Sequence, residues 1–423
     1  MKSWYNIFES KRKSLWADKE MDMGNLKMTF KVAKLPFYTV SLKNGRKTLE
    51  IEAFDGEIAV SVCYDYDRRP LSLRSEIAKD DAVEVILMNH RIELYVNGVL
   101  KDEEWPCGKR LFDKGDAFMP ETDILVADYT PKEKEEPCVI SSFENAEGWY
   151  PGGGVFVGDC MPYRRDDEYH VLYLKDRHHH ASKWTLGGHQ WEHISTKDFK
   201  TWDIHPMAVP ISDPNEGSVC TGSWIRENGR EYLYYTLRLG RGLPAPICRS
   251  VSDDGYHFVK DKSFRFTVSD RYSASSARDP KVVKDADGVF HMFLTTGLMQ
   301  EGKGCLAHYI SRDMETWEDA GEPIYVSPTK DQPECPDYFF YHGKYYLIFS
   351  LRGEAHYMIS ERPFEGFREP ENSIIPCESV PKGAIFGDRL IFAGFKRMGG
   401  YAGSMTFKAA TALPNGELQF EAL

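Results

Sequence analysis

The sequence predicts an all-β chain in which a five-bladed β-propeller follows an N-terminal β-sandwich. Strand-like apolar runs recur at 45- to 63-residue intervals, and they begin at Glu168, Glu231, Val289, Lys344 and Arg389. Four of the runs are followed by a short polar stretch that carries a serine and then an aromatic residue; the serines are Ser195, Ser252, Ser311 and Ser360. Repeats of this length with turn residues between strands are typical of propeller blades. Helical periodicity, which a helical solenoid would need, is absent.

Residues 1–135 have a different pattern and are expected to form the sandwich. The segments TLEIEAFDGEIAVSVCYDYD and VEVILMNHRIELYVNGVLKDEEWP alternate apolar and polar residues, as half-buried antiparallel strands do. An Asn97-Gly98 pair predicts a hairpin turn. The pattern resembles a jelly-roll of the laminin-G or concanavalin type. The charged stretch from Tyr129 to Cys138 predicts the boundary, so that residues 136–423 form the propeller.

The composition of the chain narrows the classes of function that it can have. The chain of 423 residues has a formal net charge of −12, which disfavours nucleic-acid partners. No apolar run approaches the length of a membrane span, and the N-terminus lacks the pattern of a secretory signal. The nine cysteines form no CxxC pair, so a zinc ribbon is excluded and reduced thiols in the cytoplasm are expected.

Acidic residues stand where the innermost strand of three predicted blades begins. Asp159, Asp279 and Glu334 each lie a few residues before a strong strand run. Charged residues that break an apolar pattern concentrate at functional sites. Three carboxylates converging on one funnel suit glycoside chemistry, in which one carboxylate attacks or activates water and another protonates the leaving oxygen. Each of the three could instead be a turn or loop acid.

Several segments, in this order, resemble glycoside hydrolase family 32, with the related families 68 and 43. ARDPKV resembles the family's Arg-Asp-Pro element, ECPDYF its Glu-Cys element, CTGSW its second-blade element, and QWEHISTKDFKTW the stretch that leads into its first repeat. Two features depart from the family. The first-blade element is Gly158-Asp159-Cys160-Met161-Pro162 in place of Asn-Asp-Pro-Asn-Gly, and the predicted sandwich precedes the propeller instead of following it.

The resemblance implies a role for each acid and a set of substrate-binding residues. Asp159 matches the nucleophile, Asp279 the aspartate that stabilises the transition state, and Glu334 the acid/base. The predicted substrate-binding residues are Arg278, Trp184, Trp191, His189, Gln190, Thr221, Ser223 and Cys335. The two tryptophans could equally serve blade packing, and His189 and His193, spaced i and i+4, are given structural or substrate-lining roles in preference to a metal site. No metal and no organic cofactor are expected.

The implied function is hydrolysis, or transfer, of fructofuranosyl linkages in sucrose- or fructan-type saccharides by a retaining double displacement. One alternative enzyme is an inverting arabinofuranosidase or xylosidase of the family 43 type. A different class is a non-catalytic carbohydrate-binding propeller, and another is a scaffold for protein contacts. Three intact carboxylates favour an enzyme, because a binding protein needs no proton donor. The expected partner is a saccharide, with no nucleic acid and no membrane.

Overall fold

A computed structural model describes residues 23–65, 70–106, 108–131, 136–180, 188–214, 216–239 and 243–423. Every regular element within these ranges is a β-strand, which confirms the all-β prediction. In the same ranges, no helix has the length and the apolar composition that crossing a membrane requires. The chain divides into two compact units, Met1–Lys132 and Glu133–Leu423. The predicted boundary after residue 135 falls at the edge of the segment 132–135, which is outside the described residues.

The first unit is built from two antiparallel sheets. Its strands are β1 (Leu26–Lys31), β2 (Phe37–Lys43), β3 (Arg46–Phe54), β4 (Glu57–Val62), β5 (Leu71–Glu76), β6 (Ala82–Leu87), β7 (Ile92–Val96), β8 (Val99–Glu104), β9 (Phe118–Met119) and β10 (Leu125–Asp128). One sheet has the order β10-β1-β6-β7-β8 and the other β5-β4-β3-β2-β9.

Alternation along the strands explains how these sheets bury one core. In β3, Leu49, Ile51 and Ala53 are buried while the residues between them face outward. These side chains share a hydrophobic cluster with apolar residues of β1, β4, β5, β6 and β7, so both sheets contribute to it. The predicted hairpin joins β7 to β8, and Asn97 and Gly98 have φ values of 51° and 77°. Two positive φ angles are what the favoured two-residue hairpin turn requires, so this prediction is confirmed.

The second unit holds the repeated strands. They are β11 (Ser141–Glu144), β12 (Val155–Arg165), β13 (Glu168–Arg177), β14 (Gln190–Thr196), β15 (Thr201–Ile204), β16 (Ser218–Glu227), β17 (Arg230–Arg238), β18 (Ile247–Ser252), β19 (Val259–Lys260), β20 (Arg278–Lys284), β21 (Phe290–Leu298), β22 (Lys303–Ser311), β23 (Glu318–Asp319), β24 (Tyr325–Val326), β25 (Glu334–Tyr341), β26 (Lys344–Leu351), β27 (Glu354–Ser360), β28 (Lys382–Phe386), β29 (Arg389–Arg397), β30 (Gly403–Ala412) and β31 (Leu418–Glu421).

Consecutive strands of this unit pair antiparallel in successive groups. The groups are β12 to β15, β16 to β19, β20 to β23, β25 to β27, and β28 to β31. The last group joins the first through one pairing, Val157 of β12 with Gly403 of β30. Apolar clusters lie between groups that follow one another along the chain: one is shared by β17, β18, β21 and β22, and another by β26, β27, β29 and β30. The repeat read from the sequence is therefore a repeat of antiparallel strand groups.

Ser-x-Asp sequences close the turns that follow two of the third strands. Ser252 Oγ accepts hydrogen bonds from the N–H groups of Asp254 and Gly255, and Asp254 Oδ1 accepts from the next two N–H groups. Ser311 and Asp313 repeat this arrangement. In the first group Thr196, one position after Ser195, caps the turn. Ser195 instead lies in the strand, where its hydroxyl contacts a histidine.

One glycine marks how closely the groups approach each other. A Cβ atom at Gly222 of β16 would overlap the carbonyl oxygen of Tyr234 and the indole ring of Trp191. We therefore expect Gly222→Ala to lower the free energy of unfolding by about 3 kcal/mol, the upper part of the usual overpacking range. The control is Gly115→Ala, where a Cβ would meet nothing within 4 Å, and calorimetry should detect little change. Equal stability of the two variants would contradict the packing described here.

Candidate active site

A β-bulge occurs at the same place in the first strand of four strand groups. In β12, β16, β20 and β25, two residues lie opposite one residue of the neighbouring strand. The bulged pairs are Gly158-Asp159, Cys220-Thr221, Asp279-Pro280 and Cys335-Pro336. A bulge interrupts the ladder, bends the strand and redirects its side chains. Two of the three predicted catalytic acids thus lie within bulges, and Glu334 is the residue that precedes one.

The Asp159 carboxylate is held by hydroxyl groups from two other strand groups. Thr221 Oγ1 donates to Asp159 Oδ2 at 2.5 Å, and Tyr401 OH donates to Asp159 Oδ1 at 2.7 Å. The Cys335 thiol lies 3.4 Å from Oδ2. Asp159 is only partly buried. Its carboxylate is therefore oriented by neutral donors and remains accessible.

Cys335 connects Asp159 to Asp279. Its backbone N–H donates to Asp279 Oδ2 at 3.1 Å, and its sulfur lies 3.7 Å from the same oxygen. Asp279 and Cys335 have φ values of 56° and 53°. Non-glycine residues seldom adopt this left-handed conformation, and such strain concentrates at functional sites. The bulges thus place one thiol in contact with both carboxylates.

Arg278 connects Glu334 to the same cluster. Its Nη2 atom donates to Glu334 Oε1 at 2.8 Å, and its Nε atom lies 3.6 Å from Asp279 Oδ2. Its Nη1 atom donates to Gln332 Oε1 at 2.6 Å. The Glu334 side chain is 49% exposed, whereas that of Asp279 is 5% exposed. The cluster therefore contains one solvent-accessible acid, one partly buried acid and one buried acid.

Burial sets the protonation of three groups in this cluster. Burial raises the pKa of Asp279, and the nearby Glu334 and Asp159 add to that effect while Arg278 opposes it. Burial, with Asp279 and Asp159 close by, raises the pKa of the Cys335 thiol well above its usual range. Burial and Asp159 raise the pKa of Tyr401 well above its usual range. The thiol and the phenol therefore keep their protons and act as donors to carboxylates.

The predicted substrate-binding residues separate into two sets. Arg278, Thr221 and Cys335 lie in the cluster, and the ring of His189 stacks on that of Tyr401 with 5.3 Å between centroids. His189 Nε2 also contacts Asp176 Oδ1 at 2.7 Å, which fixes the ring.

Three other predicted substrate residues, Trp191, Gln190 and Ser223, have buried side chains that form hydrogen bonds within the protein. Trp191 is fully buried and its Nε1 donates to the Cys220 carbonyl, so no ring face is open to a sugar. Gln190 is 1% exposed and its Oε1 accepts from Ile211 N. Ser223 Oγ accepts from Val282 N and so ties β16 to β20. Trp184 lies outside the described residues.

Sequence reasoning missed Tyr401. It lies in the turn before β30, 242 residues from the aspartate that it contacts. No repeat or motif marks the segment around it. A prediction of Tyr401 would have needed the knowledge that the β29–β30 turn lies at the same end of the unit as the bulges.

A cavity of about 350 Å³ lies between the first strands of the five strand groups. It is lined by residues of β12, β16, β20, β25 and β28, among them Lys281, Asp337 and Lys382. Lys281 Nζ and Asp337 Oδ1 form a pair at 2.5 Å, and Lys382 Nζ donates to the Gly222 carbonyl at 2.8 Å. The Lys281–Asp337 pair thus links β20 to β25, and Lys382 links β28 to β16.

Part of the chain matches a known protein family. Residues 161–368 match the family described as glycosyl hydrolases family 32, N-terminal domain. The sucrose-6-phosphate hydrolase of Vibrio alginolyticus is 26% identical over 207 residues, which is 46% of this chain and 40% of the relative. The corresponding enzyme of Escherichia coli is 29% identical over 205 residues, 44% of this chain and 39% of the relative. The chain thus spans about two-fifths of the length of the curated relatives that it matches.

Several solved structures have a similar fold. A variant of fructan 1-exohydrolase IIa from Cichorium intybus, in complex with 1-kestose, aligns with a TM-score of 0.56 at 16% identity, over 66% of this chain and 60% of that one. An inulosucrase from Halalkalicoccus jeotgali bound to kestose gives 0.53 at 14% identity, over 69% and 92%. A family 32 β-fructofuranosidase from Bombyx mori gives 0.52 at 17% identity, over 64% and 65%. At these identities the likeness establishes the fold alone, and it confirms the propeller prediction at that level.

The raised pKa of Asp279 leads to a pH-dependent stability prediction. A carboxyl group whose pKa is raised by folding favours the native state at low pH, and this contribution is lost as the pH rises through the folded-state pKa. Asp279→Asn removes the charge that burial disfavours. We expect this variant to melt about 2–4 °C above the unsubstituted protein at pH 8, which corresponds to roughly 1 kcal/mol, with a smaller difference at pH 4.

The control for this measurement is Asp337→Asn. Asp337 is buried and paired with Lys281, which is partly buried, so its neutralisation leaves this ammonium group without its partner and should lower the melting temperature. A lower melting temperature for Asp279→Asn at both pH values would contradict the proposed cost of the Asp279 charge.

Proposed function

We propose that this chain cleaves fructofuranosyl linkages of sucrose- or fructan-type saccharides, with water or a second sugar as acceptor, because residues 161–368 match the family described as glycosyl hydrolases family 32. The observation that carries this proposal is the cluster in which Cys335 contacts Asp159 and Asp279 while Arg278 contacts Asp279 and Glu334. Two carboxyl groups flanking one glycosidic bond are the machinery of most glycoside hydrolases. A third, buried carboxylate adds negative charge where a sugar cation develops.

We assign the nucleophile to Asp159. An oxygen of its carboxylate forms a bond to the anomeric carbon as the bond to the leaving oxygen breaks, which gives a covalent fructosyl ester. The Thr221 and Tyr401 hydroxyl groups donate to this carboxylate and orient it. Because both donors are neutral, they hold the carboxylate without the strong charge pairing that would oppose its attack. The Cys335 thiol supports the same oxygen as Thr221.

We assign proton transfer to Glu334. In the first step its carboxylic acid donates a proton to the leaving oxygen. In the second, its carboxylate removes a proton from the acceptor hydroxyl, which attacks the anomeric carbon and releases Asp159. The exposure of Glu334 suits a group that must contact both leaving group and water, and its hydrogen bond to Arg278 fixes its position.

We assign transition-state stabilisation to Asp279. The backbone N–H of Cys335 and the guanidinium of Arg278 hold one of its oxygens, which leaves the other for sugar hydroxyl groups. A buried carboxylate acts in a low-dielectric setting, where its attraction for the developing oxocarbenium charge is strong.

The finer architecture is part of the same proposal. We infer that the five strand groups of the second unit are five propeller blades, with β12, β16, β20, β25 and β28 innermost. The cavity that these strands line and the apolar clusters between successive groups support this inference. We further infer that residues 1–135 form a jelly-roll sandwich and residues 136–423 the catalytic propeller. The two sheets of the first unit and their shared core support that division.

The experiment is a product assay on sucrose, sucrose 6-phosphate, inulin, levan and an aryl arabinofuranoside. Free fructose, or a transfer product in which a second sugar carries the fructosyl unit, should appear from at least one fructosyl substrate. Asp159→Asn and Glu334→Gln should each lower kcat by about 10²–10⁴-fold. For Glu334→Gln the loss should shrink on a fructoside with an activated leaving group, which departs with little help from a proton.

The control variant is Asp285→Asn, which changes an aspartate that contacts His291 away from the cluster; its activity should stay near that of the unsubstituted protein. Release of arabinose without fructose would instead indicate the family 43 type of reaction. Saccharide binding without turnover of any substrate would indicate a binding protein. Activity of Asp159→Asn near that of the unsubstituted protein would refute the assigned mechanism.

A further inference from the structure

Three buried histidines lie side by side on one face of the first strand group. His170 belongs to β13, His193 to β14, and His205 follows directly after β15. The register pairs His170 with Ser195, and His193 is two residues away on the same face. The β14–β15 pairing continues to His205, whose N–H donates to the His193 carbonyl. Strand register therefore aligns the three imidazoles.

The nitrogen atoms of these rings are spaced as metal ligands are. One ligand atom from each residue lies within 4.8 Å of those from the other two. His170 Nδ1 and His193 Nε2 are 2.9 Å apart. Zinc–nitrogen bonds of about 2.0–2.1 Å at tetrahedral angles place ligand atoms about 3.4 Å apart. Binding of one ion by all three nitrogens would need small side-chain movements, and it would replace the hydrogen bond between His170 and His193 and the contact of Tyr163 OH with His193 Nε2.

Oxygen atoms lie close to the outer nitrogens of two rings. Glu168 Oε2 lies 3.2 Å from His170 Nε2, and the Cys138 carbonyl oxygen lies 2.5 Å from His205 Nδ1. An acceptor at one nitrogen holds the proton there and leaves a lone pair on the other nitrogen. Histidine ligands of metals are oriented in this way, by a carboxylate or a backbone carbonyl at the far nitrogen.

The cluster also has unsatisfied polar atoms. The exposed fractions of the three histidines are 0%, 0% and 1%. Among the described residues, His170 Nε2 and His193 Nδ1 are buried and form no hydrogen bond. Buried polar atoms nearly always have a partner, so the hydrogen bonds within the cluster leave part of its polar capacity unused.

A second histidine pair in the same unit provides an internal comparison. His291 Nδ1 and His308 Nε2 are 2.8 Å apart, and Asp285 Oδ2 lies 3.1 Å from His291 Nε2. This repeats the carboxylate–histidine–histidine arrangement of Glu168, His170 and His193. Among the described residues, the groups spaced for a metal include no third ligand beside His291 and His308. The feature that sets the first cluster apart is thus His205.

From this geometry we propose that His170, His193 and His205 bind a divalent transition metal of the zinc type as a structural site. Three imidazoles supply neutral, borderline-soft ligands, and the fourth tetrahedral position is filled by water or by the Ser195 hydroxyl, which is 2.8 Å from His205 Nε2. The ion would link β13, β14 and the segment after β15. Its role is stability, so the site is independent of the chemistry proposed for Asp159 and Glu334.

The test uses the full-length protein, stripped with a chelator and titrated with Co²⁺ or Zn²⁺. Co²⁺ should give a visible d–d absorption band that saturates at one ion per chain, and Zn²⁺ should raise the melting temperature by several degrees. His205→Ala and His193→Ala should lose both signals, whereas His308→Ala, a matched histidine removal, should keep them.

A second group, Cys138, Asp254 and His257, is also spaced for a metal, and Cys138→Ser distinguishes it because the backbone carbonyl remains. If Cys138→Ser abolishes the band, or if His205→Ala retains it, the proposal is overturned. Absence of both signals in the unsubstituted protein also overturns it. Because removal of a buried histidine can impair folding, the melting temperature of the unsubstituted protein with and without chelator provides a readout that needs no variant.

Discussion

The bulge at one position of the innermost strands is the constraint on which the candidate site depends. In a regular antiparallel ladder, alternate side chains point to opposite faces, and acids from different strands would be committed to packing between groups. Two residues opposite one break that alternation in β12, β16, β20 and β25 at the same depth. The consequence is that Asp159, Thr221, Asp279 and Cys335 meet, although they come from four strand groups.

Bringing three carboxyl groups together carries an electrostatic cost, and the contacts around them offset it. Arg278 lies against both Asp279 and Glu334 and supplies the positive charge. Neutral donors surround Asp159, which is the group that must remain nucleophilic. The buried Lys281–Asp337 pair and Lys382 hold the inner strands together beyond the bulges. Left-handed backbone at Asp279 and Cys335 shows that the surrounding sheets hold these positions against local preference.

The spacing of the strand runs and the alternation of apolar and polar residues predicted much of this arrangement, because both depend on residues that are close in the sequence. The strand runs, the Asn97-Gly98 hairpin, the Ser252 and Ser311 turns and the proximity of Asp159 to Asp279 follow from such local patterns. The direction of a side chain next to a bulge does not follow from local patterns, since one inserted residue moves the side chains after it to the other face of the strand. Trp191 and Gln190, expected at the substrate, lie in β14, which pairs regularly with β13, and their side chains are buried in packing. Tyr401 and the His170, His193 and His205 cluster arise from contacts across strands that no local spacing encodes.

The covalent intermediate on Asp159 is the most direct test of this account. Glu334→Ala, which lacks the base for the second step, is mixed with β-fructofuranosyl fluoride, whose leaving group departs without a proton, and the reaction is quenched in acid and digested with pepsin. Mass spectrometry should find one hexosyl unit on the peptide that contains Asp159, and Asp159→Asn in the same background should remove it. Steady release of fluoride with no adduct, or an adduct on a different residue, would contradict the assignment of Asp159 as the nucleophile.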